Sequence, residues 1–503
     1  MRKVASPLGH SLARQSALAR WRASTSRVAA LACVLSFGSS CIPALQQQNK
    51  PREPSKVLPG NFVASNAAEA VAQAGDTSAN ASQKNWSEFF ADPDLKALIE
   101  VALSKNQELN IRLQEIVIAR SEIMSRQGDY TPRVEARAGA GIEKVGKYTS
   151  QGVSDDAHGV AKNLQNYNFG FAACWEVDIW KKLRNAAQAA KYRYLASVEG
   201  RNFMITQLVA DIASSYYELL ALDNRLEVLH RNIAIQQNAL EIVKLQKEAA
   251  RVTELAVQRF VAEVLKNQSR QYDLEQQRIE AENRINFLLG RYPQSVRRSL
   301  QSFQTPIPTF IQSGLPAQLL DNRPDVKAAE LQLEAAKLDV KSARANFYPS
   351  LSIDAAIGYE AFNVKHLVTT PESLLYNLAG NLTAPLLNRR AIKSVYFAAN
   401  ARQLQAVFNY ERTLLQAYTE VVNNLAMIKN LEKRYGLQFE QVNALIQSVD
   451  ISNVLFQSAR ADYMEVLLTR RDSLDAEMDL IETKNRQKQA MVNIYQALGG
   501  GWR

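Results

Sequence analysis

Asn346-Phe347-Tyr348-Pro349-Ser350-Leu351 opens, and Thr383-Ala384-Pro385-Leu386-Leu387-Asn388-Arg389-Arg390 closes, a stretch in which the period of the sequence changes. On either side apolar residues recur every three or four positions, the spacing of an amphipathic helix. Between the two ends they alternate, the spacing of a strand. The prolines mark the change, because Pro stops a helix and pushes the residue before it into an extended conformation. The layout also occurs earlier, between Thr131-Pro132-Arg133-Val134 and Trp175-Glu176-Val177-Asp178. Two short hairpins with polar loops are therefore carried between very long helices.

Working outward from the hairpins, the helices read as coiled coils. Leu219, Leu222, Leu226, Leu229, Ile233, Gln236, Leu240 and Val243 step alternately by three and four, a seam with one polar interruption at Gln236. Tyr435, Phe439, Val442, Ile446, Val449, Asn453 and Phe456 form a second, cleaner seam. About sixty helical residues reach roughly 90 Å, far beyond a compact domain. Ala249–Thr253 and Ser458–Asp462 turn the chain back, and the returning helices end at Leu289-Gly290 and Leu498-Gly499, with Gly as the C-terminal stop. Upstream, Asp92-Pro93-Asp94 starts a helix expected to run to about Gln127, where Gly128 and Pro132 stop it. Val134–Ala140 is strand-like with poor alternation, Lys144–Gln165 reads as a polar loop, and Asn168–Ile179 as a second strand.

The plan is repeated. Ile116, Ala119 and Pro132 correspond to Leu333, Ala336 and Pro349 at an offset of 217, and Leu289-Gly290 to Leu498-Gly499 at 209. This divides the chain into repeat 1 over 85–300, a Pro-containing linker over 301–321 and repeat 2 over 322–503. Each repeat holds a helix, a β-hairpin and a long helical hairpin. Four strands leave two raw edges, and no open edge survives in lipid. Strands of about ten residues match a tilted membrane strand. If they enter a membrane they must close with strands from other subunits, and three protomers supply twelve. The expected fold is an α+β membrane protein: a trimeric 12-stranded outer-membrane β-barrel, four strands per protomer, continued by a long periplasmic α-helical coiled-coil barrel. A soluble periplasmic coiled-coil scaffold explains the helices but not the hairpins.

Composition agrees. With 20 Gly and 15 Pro in 503 residues, turns are few. The net charge of +10 is weighted to residues 1–40, which hold six basic residues and no acid, so the rest carries +4 and nucleic-acid binding loses its support. That basic segment leads into Val28–Phe37 and the small residues Gly38-Ser39-Ser40, the pattern of an export signal. Cys41 follows directly and is placed as the lipid-attached first residue of an extended tail over 41–84, although Gly38 stands where the aliphatic residue of the usual lipobox is expected. Cys174 reads as a small buried hydrophobe.

The residues resemble the TolC-like outer-membrane efflux family, in particular the lipoprotein channel subunits of RND-type tripartite pumps. The resemblance is carried by Trp86 to Phe90 with Asp92, Leu95, Leu98 and Ile99; by Trp175-Glu176-Val177-Asp178-Ile179-Trp180 with Leu183-Arg184; by Asn322-Arg323-Pro324-Asp325-Val326; by Phe347-Tyr348-Pro349-Ser350; and by Ala497-Leu498-Gly499-Gly500-Gly501-Trp502. Lys181 or Lys182 and Asn388-Arg389-Arg390 depart from it, standing where the family usually has glycine. The resemblance implies a homotrimeric duct across the outer membrane and periplasm, opened with a periplasmic adaptor and an inner-membrane RND transporter, passing drugs, toxic compounds or metal ions. A type I secretion outlet shares this architecture. It further implies a periplasmic gate with Phe456 as its aromatic and Glu465 as its acid. Ala461 and Leu468 stand where the family can have an arginine and a second acid, so the neighbouring Arg460 and Asp462 are taken to supply the gate's pairings. Arg251, Val252, Thr253 and Ala459, which replaces the turn glycine, are taken as adaptor-contacting tips. A ring of three Glu465 carboxylates would favour cations and resist ionising together.

Nothing in the sequence points to catalysis. His10, His158, His230 and His366 are scattered, no His-Glu-x-x-His, P-loop or Cys-x-x-Cys occurs, and the Gly499–Gly501 run precedes no helix that would cradle a phosphate. No cofactor or metal is expected. Trp175 and Trp180 read as packing or interfacial aromatics.

Overall fold

A computed structural model describes residues 42–45, 50–59, 84–304, 316–385, 390–458 and 460–502. The signal, Cys41, Ala459 and Arg389 lie outside the described residues. The main elements in chain order are α1 (Pro93–Lys105), α2 (Gln107–Asp129), β1 (Arg133–Glu143), α3 (Ser150–Ala157), β2 (Leu164–Val177), α4 (Lys182–Glu248) and α5 (Glu254–Leu288). They continue with α6 (Pro324–Ala345), β3 (Ser350–Ala361), β4 (Leu374–Thr383), α7 (Arg390–Gln457) and α8 (Tyr463–Ala497). The two long helical hairpins are nearly equal, 67 and 35 residues in the first and 68 and 35 in the second.

The chain forms two compact units. The first contains Ile118–Tyr194, Gln332–Val407 and the described residues up to Glu53. It holds a four-stranded sheet in the order β1-β2-β3-β4, antiparallel throughout. The helix ends in this unit pack small and aromatic residues together. Ala343, Phe347, Tyr396 and Ala399 are buried, with Ile42 and Leu45 against them. Gln403 Nε2 donates to the Arg52 carbonyl at 3.0 Å, and Lys337 pairs with Glu53 at 2.6 Å, so the N-terminal tail lies against this helical layer.

The second unit comprises Pro54–Val117, Leu195–Leu331 and Phe408–Arg503. Its main core joins Leu95 and Ile99 of α1, Ile212, Tyr216, Leu219 and Leu229 of α4, Ile285 of α5 and Tyr495 of α8. Asp92 caps α1 by accepting from Asp94 N at 2.9 Å, and its other oxygen accepts from the buried Tyr216 hydroxyl at 2.8 Å. A second core joins Leu319 and Val326 to Tyr410, Leu414, Ala417, Ile494 and Leu498. In this unit the returning helices stop the same way. Gly290 and Gly499 take φ of +65° and +86°, and a Cβ there would fall 2.5 Å from the Lys105 carbonyl and 2.6 Å from the Asn322 carbonyl. Glycine is required at both by backbone conformation and by close approach.

Several boundaries differ from the sequence reading. The helix expected from Pro93 to about Gln127 is two helices broken at Asn106, whose side chain caps α2 by accepting from Leu109 N at 2.9 Å and donates to the Leu288 carbonyl at 2.8 Å. The loop expected over Lys144–Gln165 contains α3, begun by Thr149 Oγ1 accepting from Gly152 N at 3.1 Å. Helical turns occur at Gln301–Gln304 and Leu319–Asn322 in and beside the linker.

Candidate functional site

Register divides the sheet into two chemically opposed faces. Residues paired across the strands share a face, so the partners Val134–Ala173–Ala355–Leu378 and Ala136–Phe171–Ile357–Tyr376 lie on one side. That side also carries Ala138, Ala140 and Ile142 of β1, Tyr167, Phe169, Trp175 and Val177 of β2, Leu351, Ile353 and Tyr359 of β3, and Leu374 and Leu382 of β4, with Gln165 a polar exception at the end of β2, opposite Ile142. The opposite side carries Arg133, Glu135, Arg137 and Glu143, Asn166, Asn168 and Glu176, Ser350, Ser352, Asp354 and Glu360, and Asn377, Asn381 and Thr383. Its polar groups bond among themselves: Asn381 Nδ2 to Asp354 at 2.9 Å, Asn166 Nδ2 to Glu360 at 2.7 Å, and Arg133 to Glu135 at 2.6 Å. On the apolar face Leu378 and Tyr376 are 77% and 78% exposed, and Phe171 61%. A monomeric soluble protein rarely leaves an apolar sheet face open. Strands β1 and β4 bound the sheet, and among the described residues each has only one partner strand. Cys174 lies on the polar face and is exposed, contrary to the expected burial. β1 alternates fully; its apolar set is largely alanine, which carries little hydropathy signal.

The junctions between sheet and helix are built from the motif residues. Asp178 accepts from Leu183 N at 3.1 Å and Arg184 N at 2.8 Å and so starts α4. Of Lys181 and Lys182, one of which stands where the family usually has glycine, Lys181 adopts φ +56°, a conformation that costs an L-residue about 1–2 kcal/mol. Trp175 Nε1 donates to the Tyr130 carbonyl at 3.0 Å. Trp180 Nε1 donates to the Pro349 carbonyl at 2.8 Å, and the Trp180 ring stacks on Tyr348 with centroids 4.7 Å apart.

Asn322-Arg323-Pro324-Asp325 is structural. The buried Arg323 pairs with Asp325 at 2.6 Å and Glu420 at 2.7 Å and donates to the Ala497 carbonyl at 3.0 Å. Burial alone would lower its pKa, but the Asp325 and Glu420 carboxylates outweigh it and raise it, so the charge persists.

Along the helical hairpins the two seams differ. Every residue of the first is buried, from Leu219 to Val243, and Gln236 accepts from Asn267 Nδ2 of α5 at 2.9 Å, both residues being almost fully enclosed. The second seam is largely uncovered within the chain: Phe439 and Ile446 are 50% and 45% exposed, and only Val442 is buried. Periodicity alone does not say which seam is covered. At Asn453 the structure adds a contact that the seam pattern hid: it accepts from Arg470 of α8 at 2.9 Å. Burial pushes the Arg470 guanidinium pKa down.

The residues expected at the gate lie at the turn between α7 and α8. Phe456 is half-buried; Arg460, Asp462 and Glu465 are exposed and make no ion pair among the described residues. Arg460 N donates to the Leu455 carbonyl at 2.9 Å, and Asp462 is the N-cap residue of α8. In the first tip Arg251 and Thr253 are exposed and Val252 half-buried. There Ala250 takes φ +57°, with Ala250 N donating to the Lys247 carbonyl at 2.9 Å and Arg251 N to the Gln246 carbonyl at 2.8 Å. This is the glycine-type helix stop made with alanine. Behind the tips Val257, Phe260 and Val264 of α5 pack with Tyr463 and Leu467 of α8. Among the described residues no helix is long and apolar enough to cross a membrane, and no cluster of ligating side chains suits a metal ion.

A two-faced antiparallel sheet joined to paired long helices has a direct counterpart among known proteins. The family model described as outer membrane efflux protein matches residues 98–291 and 315–500. The chain belongs to this family. The efflux protein is 27% identical over 420 residues to the pyoverdine export outer membrane protein OpmQ of Pseudomonas aeruginosa, covering 83% of this chain and 88% of that one. It is 26% identical over 457 residues to the cation efflux system protein CusC of Escherichia coli, covering 90% and 94%. The crystal structure of the open state of the Neisseria gonorrhoeae MtrE outer membrane channel shares its fold, with a TM-score of 0.76 over 92% of this chain and 98% of that one at 22% identity.

Proposed function

We propose that three copies of this chain assemble into the outer-membrane exit duct of a tripartite efflux pump. The observation that carries the reading is the sheet: one face apolar and exposed, the other polar, and an unpaired edge on each side. Lipid on the first face and a water-filled lumen on the second satisfy both. Because β1 and β4 run antiparallel, β4 of one copy can pair with β1 of the next, and three sheets close a barrel of twelve strands with no edge left. Ten residues of β4 at about 3.4 Å each and a tilt of about 40° span roughly 26 Å, the height of the apolar band of such barrels. The uncovered seam of α7 offers a further contact between neighbouring copies.

The two near-equal halves, 85–300 and 322–503 with a linker over 301–321, fit an internal repeat. Asn106 and Arg323 stand 217 apart, and each bonds a carbonyl at the end of a returning helix. Cys41 is proposed as the lipid attachment point; lipid labelling that persists in Cys41→Ser would dispose of it.

Phe456, Arg460, Asp462 and Glu465 are proposed to narrow the periplasmic end, and Arg251, Val252, Thr253 and Ala459 to meet a periplasmic adaptor that links the duct to an inner-membrane RND transporter. Exposed ion pairs at a wet tip are each worth about 0–1 kcal/mol, so adaptor contacts of modest strength suffice to open it. Cation efflux and pyoverdine export, named for the relatives, support a cargo of small solutes such as a wide polar lumen would pass. Energy comes from the inner-membrane partner. The test is conductance of the purified protein in planar bilayers: small, cation-preferring events are expected, enlarged in Glu465→Ala. No conductance in either form would contradict the duct.

A further inference from the structure

The helix ends that join the sheet carry a charge excess that neither folding nor gating uses. Over residues 118–132, 178–194, 332–349 and 390–407 there are thirteen basic residues against five acidic ones, a net +8, while the whole chain after residue 40 carries only +4. All five acids are already engaged. Glu122 and Asp129 hold Arg126, Glu334 holds Lys337, Asp339 holds Arg193, and Asp178 accepts from the first backbone N–H groups of α4. Lys181, Arg184, Lys191, Lys341, Arg344, Arg390 and Lys393 are exposed and make no ion pair among the described residues. They form stripes. Lys181, Arg184, Gln188 and Lys191 step by three, four and three along the start of α4, Lys341 and Arg344 close α6, and Arg390 and Lys393 open α7. In α4 and α7 these cations stand at the positive end of the helix dipole, with no acid in either first turn. Helix stability therefore does not explain the cations of α4 and α7, whereas Lys341 and Arg344 stand at the end of α6 where the dipole favours them.

The stripes begin four to eight residues from the last apolar positions of the strands, Val177, Leu351 and Leu382. Beside them the stacked pair Trp180 and Tyr348 has the chemistry of a membrane–water boundary, where such rings settle and lysine and arginine extend their charged ends to the headgroups. Resting on the reading of the apolar face as lipid-facing, we propose that this basic collar binds the anionic phospholipid headgroups of the periplasmic leaflet, fixing the depth of the barrel in the membrane. Both places at which this chain departs from the family's glycines, Lys181 or Lys182 and Asn388-Arg389-Arg390, contribute a described cation to the collar, Lys181 and Arg390.

The test uses the full chain in nanodiscs containing chain-brominated phosphatidylglycerol or chain-brominated phosphatidylcholine, with quenching of tryptophan fluorescence as the readout. A headgroup-level cation attracts anionic lipid about fivefold. We therefore expect half-quenching at an approximately fivefold lower fraction of the brominated anionic lipid. The preference should vanish in about 1 M salt, where the screening length falls to about 3 Å. It should vanish equally at low salt in a variant carrying Lys181→Gln, Arg184→Gln, Lys191→Gln, Lys341→Gln, Arg344→Gln and Lys393→Gln. The salt titration of the unaltered chain decides the matter even if that variant fails to assemble. Equal quenching by the two lipids overturns the collar alone, as does a variant that keeps the lipid preference while changing the ion selectivity of the pore, which would place the stripes in the lumen. Absence of quenching by either lipid overturns the lipid-facing sheet itself.

Discussion

Leu378 sits in the middle of β4 on the apolar face, 77% exposed, opposite Ala355 of β3. Its neighbour Asn377 lies on the polar face opposite Ala356. If the first face meets lipid and the second water, arginine at the two positions must behave differently although they are adjacent. On the lipid side of a membrane barrel an arginine near the midplane costs about 2–4 kcal/mol, and at a lumen-facing position close to nothing. Three copies multiply the first figure to roughly 6–12 kcal/mol per assembly, comparable with the roughly 5–15 kcal/mol stability of a whole domain. Leu378→Arg should therefore abolish or sharply lower the temperature at which the assembled species dissociates in detergent gels of outer-membrane fractions, while Asn377→Arg should leave that band within a few degrees of the parent. Equal effects, or a larger loss for Asn377→Arg, would refute the assignment of the faces.

Two further predictions concern the helices. Asn267→Leu strands the buried Gln236 amide, a loss of about 1–3 kcal/mol, whereas Gln236→Leu with Asn267→Leu should return close to the parent; melting of the two variants distinguishes a matched polar pair from simple crowding. Burial, together with neighbouring Lys484, pushes the Lys488 ammonium down from 10.5 to about 8, although Asp92 acts in the opposite sense. The unfolded chain then holds the extra proton between those two values, so stability rises as pH climbs from about 8 towards 10.5, and the full penalty is present below 8. Lys488→Met should raise the melting temperature at pH 7, by up to ~3 kcal/mol in stability, and flatten the profile across that window; an unchanged profile would show that the buried charge is compensated.

Much of this architecture was legible in residue spacing. The prolines at 132, 349 and 385, the change of period between them and the three-four steps of the seams lie in local sequence, and the long helices begin and end within a few residues of where those signals put them. What escaped was set by contacts. The break at Asn106 depends on a carbonyl at Leu288, far along the chain, and no periodic pattern announces it. The alternation of β1 was muted because alanine holds most of its positions on the apolar face, and a methyl group adds little to a hydropathy pattern. The two seams looked alike, with the second more regular. Only the partners present in three dimensions show the first to be internal and the second open. At the tips the expected aromatic and acidic residues are at the turn, and among the described residues the acids make no ion pair, which no spacing in the sequence announces.

The central claim is that β4 of one copy completes the sheet of the next. Cysteine cross-linking tests it most directly: in a Cys174→Ser background, Leu378→Cys is combined in turn with Ala136→Cys, Ala138→Cys and Ala140→Cys on the same face of β1, and oxidised in intact outer membranes. One register should give covalent products of two and three chains and none larger. Cross-links confined within single chains, or a ladder that runs past three, would contradict it.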